Sequence, residues 1–398
     1  MDLAGWRILR EDELRQDLGA LATRWHQRLP FVLVPAKSAI TPEWLHQALA
    51  ALPDSARKDH FAMLTSGSSG DPKLVLCRMD RAEALARTLH DVQGNHEVAA
   101  AIVTLPLTYS FAFVNQWVWS EVHGRQLIQT AGLADPAALH GALSSASQGM
   151  LCLVGIQVPL LLQYFAGQIF PGISRIHFAG GRFPQERLAE LGTLFPNARI
   201  YNNYGCAEAM PRLTVRSADA SADPADVGEP LPGIEVRADE DGALVFRSPF
   251  GAVGLVEQGQ YTAIEPHMWV RSGDLAEPTA RAGWRLTGRV SEVFKRHGEK
   301  ISLATTMGTA AAVWSGQLAA YRETDAHGEE GWVLVLSPVP DDAQTRNVLL
   351  NLRKHHPRAH WPLRIEGHAS LPLLSSGKAD VRALPGHPDA TTMWRQPI

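Results

Sequence analysis

Thr65-Ser66-Gly67-Ser68-Ser69-Gly70-Asp71-Pro72-Lys73 stands between two apolar runs, Phe61-Ala62-Met63-Leu64 and Leu74-Val75-Leu76-Cys77. Short apolar runs bounded by turn residues read as buried strands, so the polar stretch is the connection between them. Its glycines let the backbone approach a polyanion, its hydroxyls and main-chain N–H groups can donate to phosphate oxygens, and Lys73 adds a positive charge. The spacing is not that of a Walker A loop, because Gly67 is not followed at the required distance by Gly-Lys-Ser/Thr. Alone, such a run serves equally as a flexible connection, and the rest of the chain has to decide.

Outward from this loop, residues 10–50 carry helical spacing, with Leu14, Leu18, Leu21 and Trp25 recurring three or four apart. Downstream, a helical stretch at 80–92 is followed by buried-strand runs at 99–107, 150–154 and 175–179, each ending in a turn signal. Strands alternating with helices predict an α/β architecture with a largely parallel sheet. From about Val227 short β-rich runs punctuated by Gly and Pro predict a β subdomain over 227–288. Residues 1–288 then form a large domain, and 289–398 a small α+β domain of ordinary size. The polar, alanine-rich segment 217–226 reads as a surface loop.

The bulk properties narrow the function. The chain has 398 residues, 45% apolar and 20% charged, with a formal charge of −4. That is a globular composition with no basic excess, so nucleic-acid binding is not expected. Three widely spaced cysteines, Cys77, Cys152 and Cys206, make neither a disulfide framework nor a zinc knuckle. The first residues lack a basic segment and apolar core, and the longest apolar stretch, 150–162, falls short of a membrane span. A cytoplasmic protein acting on a small molecule, away from membranes, is the expectation.

Further stretches follow in an order that resembles the adenylate-forming superfamily: acyl- and aryl-CoA synthetases, peptide-synthetase adenylation domains and luciferases. The loop at 65–73 is similar to that family's phosphate-binding loop. Gly180-Gly181 after Ile176-His177-Phe178-Ala179 resembles its adenine-packing turn. Tyr204-Gly205-Cys206-Ala207-Glu208 resembles its Tyr-Gly-x-Thr-Glu signature, and Val227-Gly228-Glu229-Pro230-Leu231-Pro232-Gly233 its structural turn. Ser272-Gly273-Asp274-Leu275 resembles the ribose-binding element, Gly288-Arg289-Val290-Ser291 the hinge, and Ser375-Ser376-Gly377-Lys378 the terminal element. The resemblance implies an ATP- and Mg2+-dependent ligase with a mobile small domain. It implies that Thr65, Ser66, Gly67, Ser68, Ser69, Gly70 and Lys73 bind phosphates and that Gly180, Gly181, Tyr204 and Gly205 bind adenine. Asp274 and Arg289 would hold the ribose, Glu208 the metal, Ser291 would take the swivel position, and Lys378 would be the catalytic lysine.

The same likeness implies activation of a carboxylic acid as an acyl-adenylate, then transfer to the pantetheine thiol of coenzyme A or an acyl carrier protein. Lys295, Arg296, Lys300, Arg353 and Lys354 offer positive charge to such an acceptor. Three departures stand out. The loop comes early, implying a trimmed N-terminal part; Ala207 replaces the family's threonine; and Tyr109 in Leu105-Pro106-Leu107-Thr108-Tyr109 replaces a histidine that gates the acid pocket. No acidic residue lies between 105 and 119, which disfavours an amino-acid substrate. Tyr109, Phe111 and Phe113 are the pocket candidates, and they suggest an apolar or aromatic acid. Trp117 and Trp119 read equally well as part of a core strand. A free-standing amino-acid adenylation protein, or a nucleotide-binding regulator without catalysis, are the alternatives.

Overall fold

The computed structural model describes residues 2–3, 5–36, 40–66, 72–325, 328–372 and 379–396. By its internal contacts the chain divides into two compact units, Met1–Ser272 with Glu277–Leu286, and Gly273–Ala276 with Thr287–Ile398. Among the described residues no helix is long and apolar enough to cross a membrane.

The larger unit contains two sheets. One has the order Asp2–Leu3, Trp6–Arg10, Phe31–Val34, His60–Ser66, Pro72–Arg78, Gly254–Glu257 and Gln260–Ala263. The strands Trp6–Arg10, Phe31–Val34 and His60–Ser66 run parallel, and the next three pairings are antiparallel. The other sheet has five parallel neighbours: Arg199–Tyr204, Ile173–Phe178, Gly149–Leu153, Ala100–Val103 and Gln126–Gln129. Its middle strands are buried along their whole length, as parallel strands covered on both faces must be, and for that reason they read as unbroken apolar runs. On the far side of Arg199–Tyr204 the sheet continues antiparallel through Thr214–Ser217 and Asp226–Pro230. The hairpin Glu235–Ala238 and Ala243–Arg247 ends it.

Two expectations need correction. The stretch 10–50 is not one helical run. Helices Glu11–Gln16, Gly19–His26 and Pro42–Ala50 are interrupted by the buried strand Phe31–Val34, whose four consecutive apolar residues carry no period by which to tell strand from helix. The aromatic segment after Tyr109 is helical, not a strand. It begins at Ser110–Ala112, widens into a π-turn over Phe113–Val118 and ends in Trp119–His123. Phe113 and Trp117, four residues apart, therefore stack with ring centroids 5.2 Å apart. They join Trp25, Phe31 and Phe61 in one aromatic cluster. Phe113 is fully buried there.

Three histidines pack where Met79–Val92 meets Trp119–His123. The His90 ring lies 3.9 Å from that of His123 and 4.5 Å from that of His96, and Trp119 Nε1 donates to His90 Nδ1 at 3.2 Å. Burial, then the neighbouring His123 and His96 charges, pull the His90 pKa down to about 4, with Asp91 opposing and Arg125 adding to the shift. The unfolded chain binds this proton near pH 6.5, so stability present above that pH is lost as the pH falls toward 4. We expect denaturant midpoints to decline across this window, at up to about 1.4 kcal/mol per pH unit for each such ring. His90→Gln, which keeps an acceptor for Trp119, should flatten the decline; an unchanged slope would remove His90 as its cause.

The smaller unit has a four-stranded sheet in the order Gln317–Thr324, Glu330–Ser337, Arg364–Gly367 and Thr391–Arg395. Leu303–Ala311 and Asp342–His355 are its helices. The second of these opens on a capping box, with Asp341 and Gln344 reciprocally bonded. Trp332, Leu334, Leu336, Val348, Leu352 and Ile365 fill the core between sheet and helices. A separate hairpin, Val293–Arg296 with Glu299–Ser302, turns at His297-Gly298, where both residues have positive φ as a tight hairpin turn requires.

Candidate active site

The strands flanking 67–71 pair in register, Thr65 opposite Lys73 and Ser66 opposite Pro72. The glycine-serine stretch thus connects two antiparallel strands. Gly67, Ser68, Ser69 and Gly70 lie outside the described residues, as does Lys378, and Ser66 is placed only as the end of its strand. Opposed residues of an antiparallel pair share a face, so Thr65 and Lys73 point the same way. On the other flank of Lys73 its register partner is Glu257.

Lys73 gathers two carboxylates. Its Nζ donates to Glu208 Oε1 at 3.0 Å and lies 2.7 Å from Glu257 Oε1. Burial works against its charge, but hydrogen bonds and charge from Glu257 and Glu208 prevail and raise its pKa above the ordinary lysine value. Glu257 escaped the sequence reading, since it belongs to no motif and only strand pairing brings it here. Glu208 stands on the single turn Ala207–Ala209, whose place is fixed by the Ala252 N–H donating to the Glu208 carbonyl at 2.8 Å. Ala207 leaves no hydroxyl in that turn.

Gly180 and Tyr204 close neighbouring parallel strands at their carboxyl ends, where Phe178 pairs with Asn202. In open α/β sheets this edge is where ligands bind. Gly180 has φ +78°, and a side chain there would meet Tyr109 Oη at 3.5 Å and Val154 at 3.6 Å. Tyr109 thus lies against the Gly180-Gly181 turn, which is exposed. Tyr204 is buried. Gly205 is required by contact: an added Cβ would stand 1.9 Å from the Pro211 carbonyl oxygen. The chain folds back at this point, and Leu213 N–H donates to the Tyr204 carbonyl at 2.8 Å. That return brings Arg212 over the buried Phe111 ring, 4.4 Å from its centroid. Arg212 was not singled out in the sequence, although a charged residue inside Ala209-Met210-Pro211-Arg212-Leu213 was a visible signal.

In the smaller unit Arg289 Nε lies 3.0 Å from Asp274 Oδ1, with Asp274 buried and Arg289 more than half exposed. Burial raises the pKa of the adjacent Glu292, which Arg289 opposes and Asp274 reinforces. Ser291 is exposed on the turn Val290–Glu292. Among the basic residues named for an acceptor, Lys295 and Lys300 are exposed and directly opposed across the hairpin. Arg296 is a correction. It is buried, bonded to the Trp361 carbonyl and Gln396 and paired with Asp325, so its charge is consumed inside the unit.

The sequence pattern of the family described as AMP-binding enzyme matches residues 12–255. The chain belongs to that family. Among curated relatives, D-alanine–D-alanyl carrier protein ligase of Staphylococcus aureus (strain bovine RF122 / ET3-1) is 23% identical over 349 residues, covering 82% of this chain and 71% of the relative. Among solved structures, o-succinylbenzoate CoA synthetase (MenE) of Bacillus subtilis, in complex with its acyl-adenylate OSB-AMP, superposes with a TM-score of 0.75 at 16% identity. That match covers 97% of this chain and 89% of the other. ATP-bound MatB from Rhodopseudomonas palustris gives 0.76 at 17% identity, covering 96% and 88%. The chain therefore has the adenylate-forming fold and is an AMP-binding enzyme.

Proposed function

We propose that this AMP-binding enzyme condenses a carboxylic acid with ATP to an acyl-adenylate and pyrophosphate, then passes the acyl group to a pantetheine thiol on coenzyme A or a carrier protein. The observation that carries the reading is the meeting of Lys73 and Glu208, 135 positions apart, at the end of the serine-lined hairpin.

A carboxylate is a poor electrophile because its leaving group is oxide. In the first step one carboxylate oxygen attacks the α-phosphorus and the bond to pyrophosphate breaks. The nucleophile is already ionised, so positioning and charge neutralisation carry the catalysis. Thr65 and Lys73 face the triphosphate from the hairpin, Tyr204 and Gly180 line the base, and Lys378 acts as the catalytic lysine of this step. Glu208 fits a magnesium ion: it is a single, largely shielded carboxylate with one oxygen on Lys73, and magnesium typically takes one or two carboxylates with substrate phosphates. Bound there, the ion supplies charge to the phosphoryl oxygens. Asp274 and Arg289 hold the ribose, and Ser291 takes the swivel position between the two steps. In the second step the thiol sulfur attacks the acyl carbon and AMP leaves. Lys295 and Lys300 give an acidic carrier, or the phosphates of coenzyme A, a cationic surface to meet.

Pyrophosphate release measured across a panel of carboxylic acids tests the first step. Coenzyme A set against a phosphopantetheinyl carrier protein then separates the acceptors. We expect acid-dependent release and a thioester on one of the two; ATP cleavage to ADP, or no acid dependence, would end this reading.

A further inference from the structure

Buried arginines in this protein are ordinarily well satisfied. The Arg216 guanidinium donates to the carbonyls of Ser217, Ala218, Ser221, Asp223 and Asp226 and to Gln185 Oε1, which accounts for the course of the loop around it. Arg175 is bonded to the carbonyls of Gln93, Ser174 and Gly94. Arg212 is the exception. It is 1% exposed, its Nη1 donates at 3.5 Å to the carbonyl of its own neighbour Pro211, and its Nε and Nη2 have no partner among the described residues. An unpaired guanidinium costs several kcal/mol to keep out of water, so a chain that retains one must offset the cost elsewhere.

Its surroundings are polar and equally unsatisfied. His177 is completely buried with neither ring nitrogen bonded, and Asn115 Oδ1 is likewise without a partner among the described residues. His177 and Cys152 are register neighbours, and Asn115 Nδ2 lies 3.9 Å from Cys152 Sγ. Burial, then the charges of Arg212 and Arg175, keep His177 neutral, its pKa pulled down to about 3, so one ring nitrogen remains a donor. The Arg212 charge acts on both His177 and Cys152, and its guanidinium lies over Phe111, two residues from the Tyr109 whose hydroxyl stands beside Gly180. Its own backbone packs against Gly205, next to Tyr204. Phe111 and Gly205 thus connect the Arg212 guanidinium with Tyr109 and Tyr204, the residues beside the Gly180 turn and at the end of its neighbouring strand.

We propose that Arg212, with His177 and Asn115, binds an oxygen acceptor carried by the substrate acid at the end remote from its reacting carboxylate. This rests on the acid-activating reading above and names its substrate class. The open Nε–Nη2 edge is a two-donor fork that matches a second carboxylate, and a ring hydroxyl could use the same donors singly. It departs from the expectation of an apolar pocket drawn from Tyr109, Phe111 and Phe113.

The test is acid-dependent pyrophosphate release by the full chain with ATP and magnesium, on matched acids: benzoate, 4-hydroxybenzoate and terephthalate, and hexanoate against adipate. We expect an acceptor-bearing member to exceed its plain partner by about 100-fold in kcat/KM. The dicarboxylates and the hydroxy acid tell carboxylate from hydroxyl. Arg212→Met should reduce the ratio to within about threefold, while Arg212→Lys retains part of it. A wild-type preference for the plain acids, or an Arg212→Met loss equal for both members, overturns the proposal and leaves the acid-activating reading intact. Release with no acid at all overturns both. The wild-type ratios decide even if the variants fail to fold.

Discussion

Lys378→Ala lowers acid-dependent pyrophosphate release by about 100- to 1000-fold, the usual loss when one group stabilising a transition state is removed. In the proposed first step two anions approach each other, the acid's carboxylate and the triphosphate. An ammonium group between them neutralises charge in both and fixes the line of attack. No proton needs to move, so a point charge on a flexible stem is sufficient. The second step starts from a neutral acyl-adenylate and an incoming thiol, and has no such repulsion to overcome. Supplied with a preformed acyl-adenylate, Lys378→Ala should form thioester within about tenfold of wild type, on the same argument. Equal loss of both steps would assign Lys378 to structure or to acceptor binding.

Gly205→Ala is expected to damage both stability and turnover. The new methyl would stand 1.9 Å from the Pro211 carbonyl oxygen, 2.6 Å from its carbon and 2.9 Å from the Arg212 Cα. All three are backbone atoms, so no side-chain rotation relieves the clash. Overpacking of this kind costs about 3 kcal/mol or more, a fall in Tm of roughly 6 °C for a unit of this size. Tyr204, Glu208 and Arg212 are carried on the two segments forced apart. A displacement near 1 Å there can cost about 100-fold in rate. Gly181→Ala is the stability control, because the space beside Gly181 is open. If Gly205→Ala melts like wild type, the close approach is not what requires glycine.

The parallel sheet was legible from the sequence because its strands are buried on both faces and end in turn residues. Gly149–Leu153 and Ile173–Phe178 fall within a residue or two of where their apolar runs predicted. Phe31–Val34 was missed for the opposite reason, since four apolar residues between two helical stretches have no distinguishing period. At the site, motif residues such as Tyr204, Glu208 and Lys73 could be found because their neighbours in sequence mark them. Glu257 and His177 could not. Their importance comes from register across a sheet, Glu257 beside Lys73 and His177 beside Cys152, and register is a property of the fold that no local stretch of chain records.

The position of Gly254–Glu257 has a further consequence for how the molecule is made. Leu76 takes its sheet partner from Gly254 and Lys73 from Glu257, both synthesised long after the hairpin that they complete. Until that segment leaves the ribosome, Pro72–Arg78 presents an unpaired hydrogen-bonding edge and an apolar face to the cell. Nascent chains that end in between thus carry an open edge to which another strand can add. The late strand that seals this edge is also the one that sets Glu257 beside Lys73, so closing the sheet and completing the lysine-glutamate group are one event.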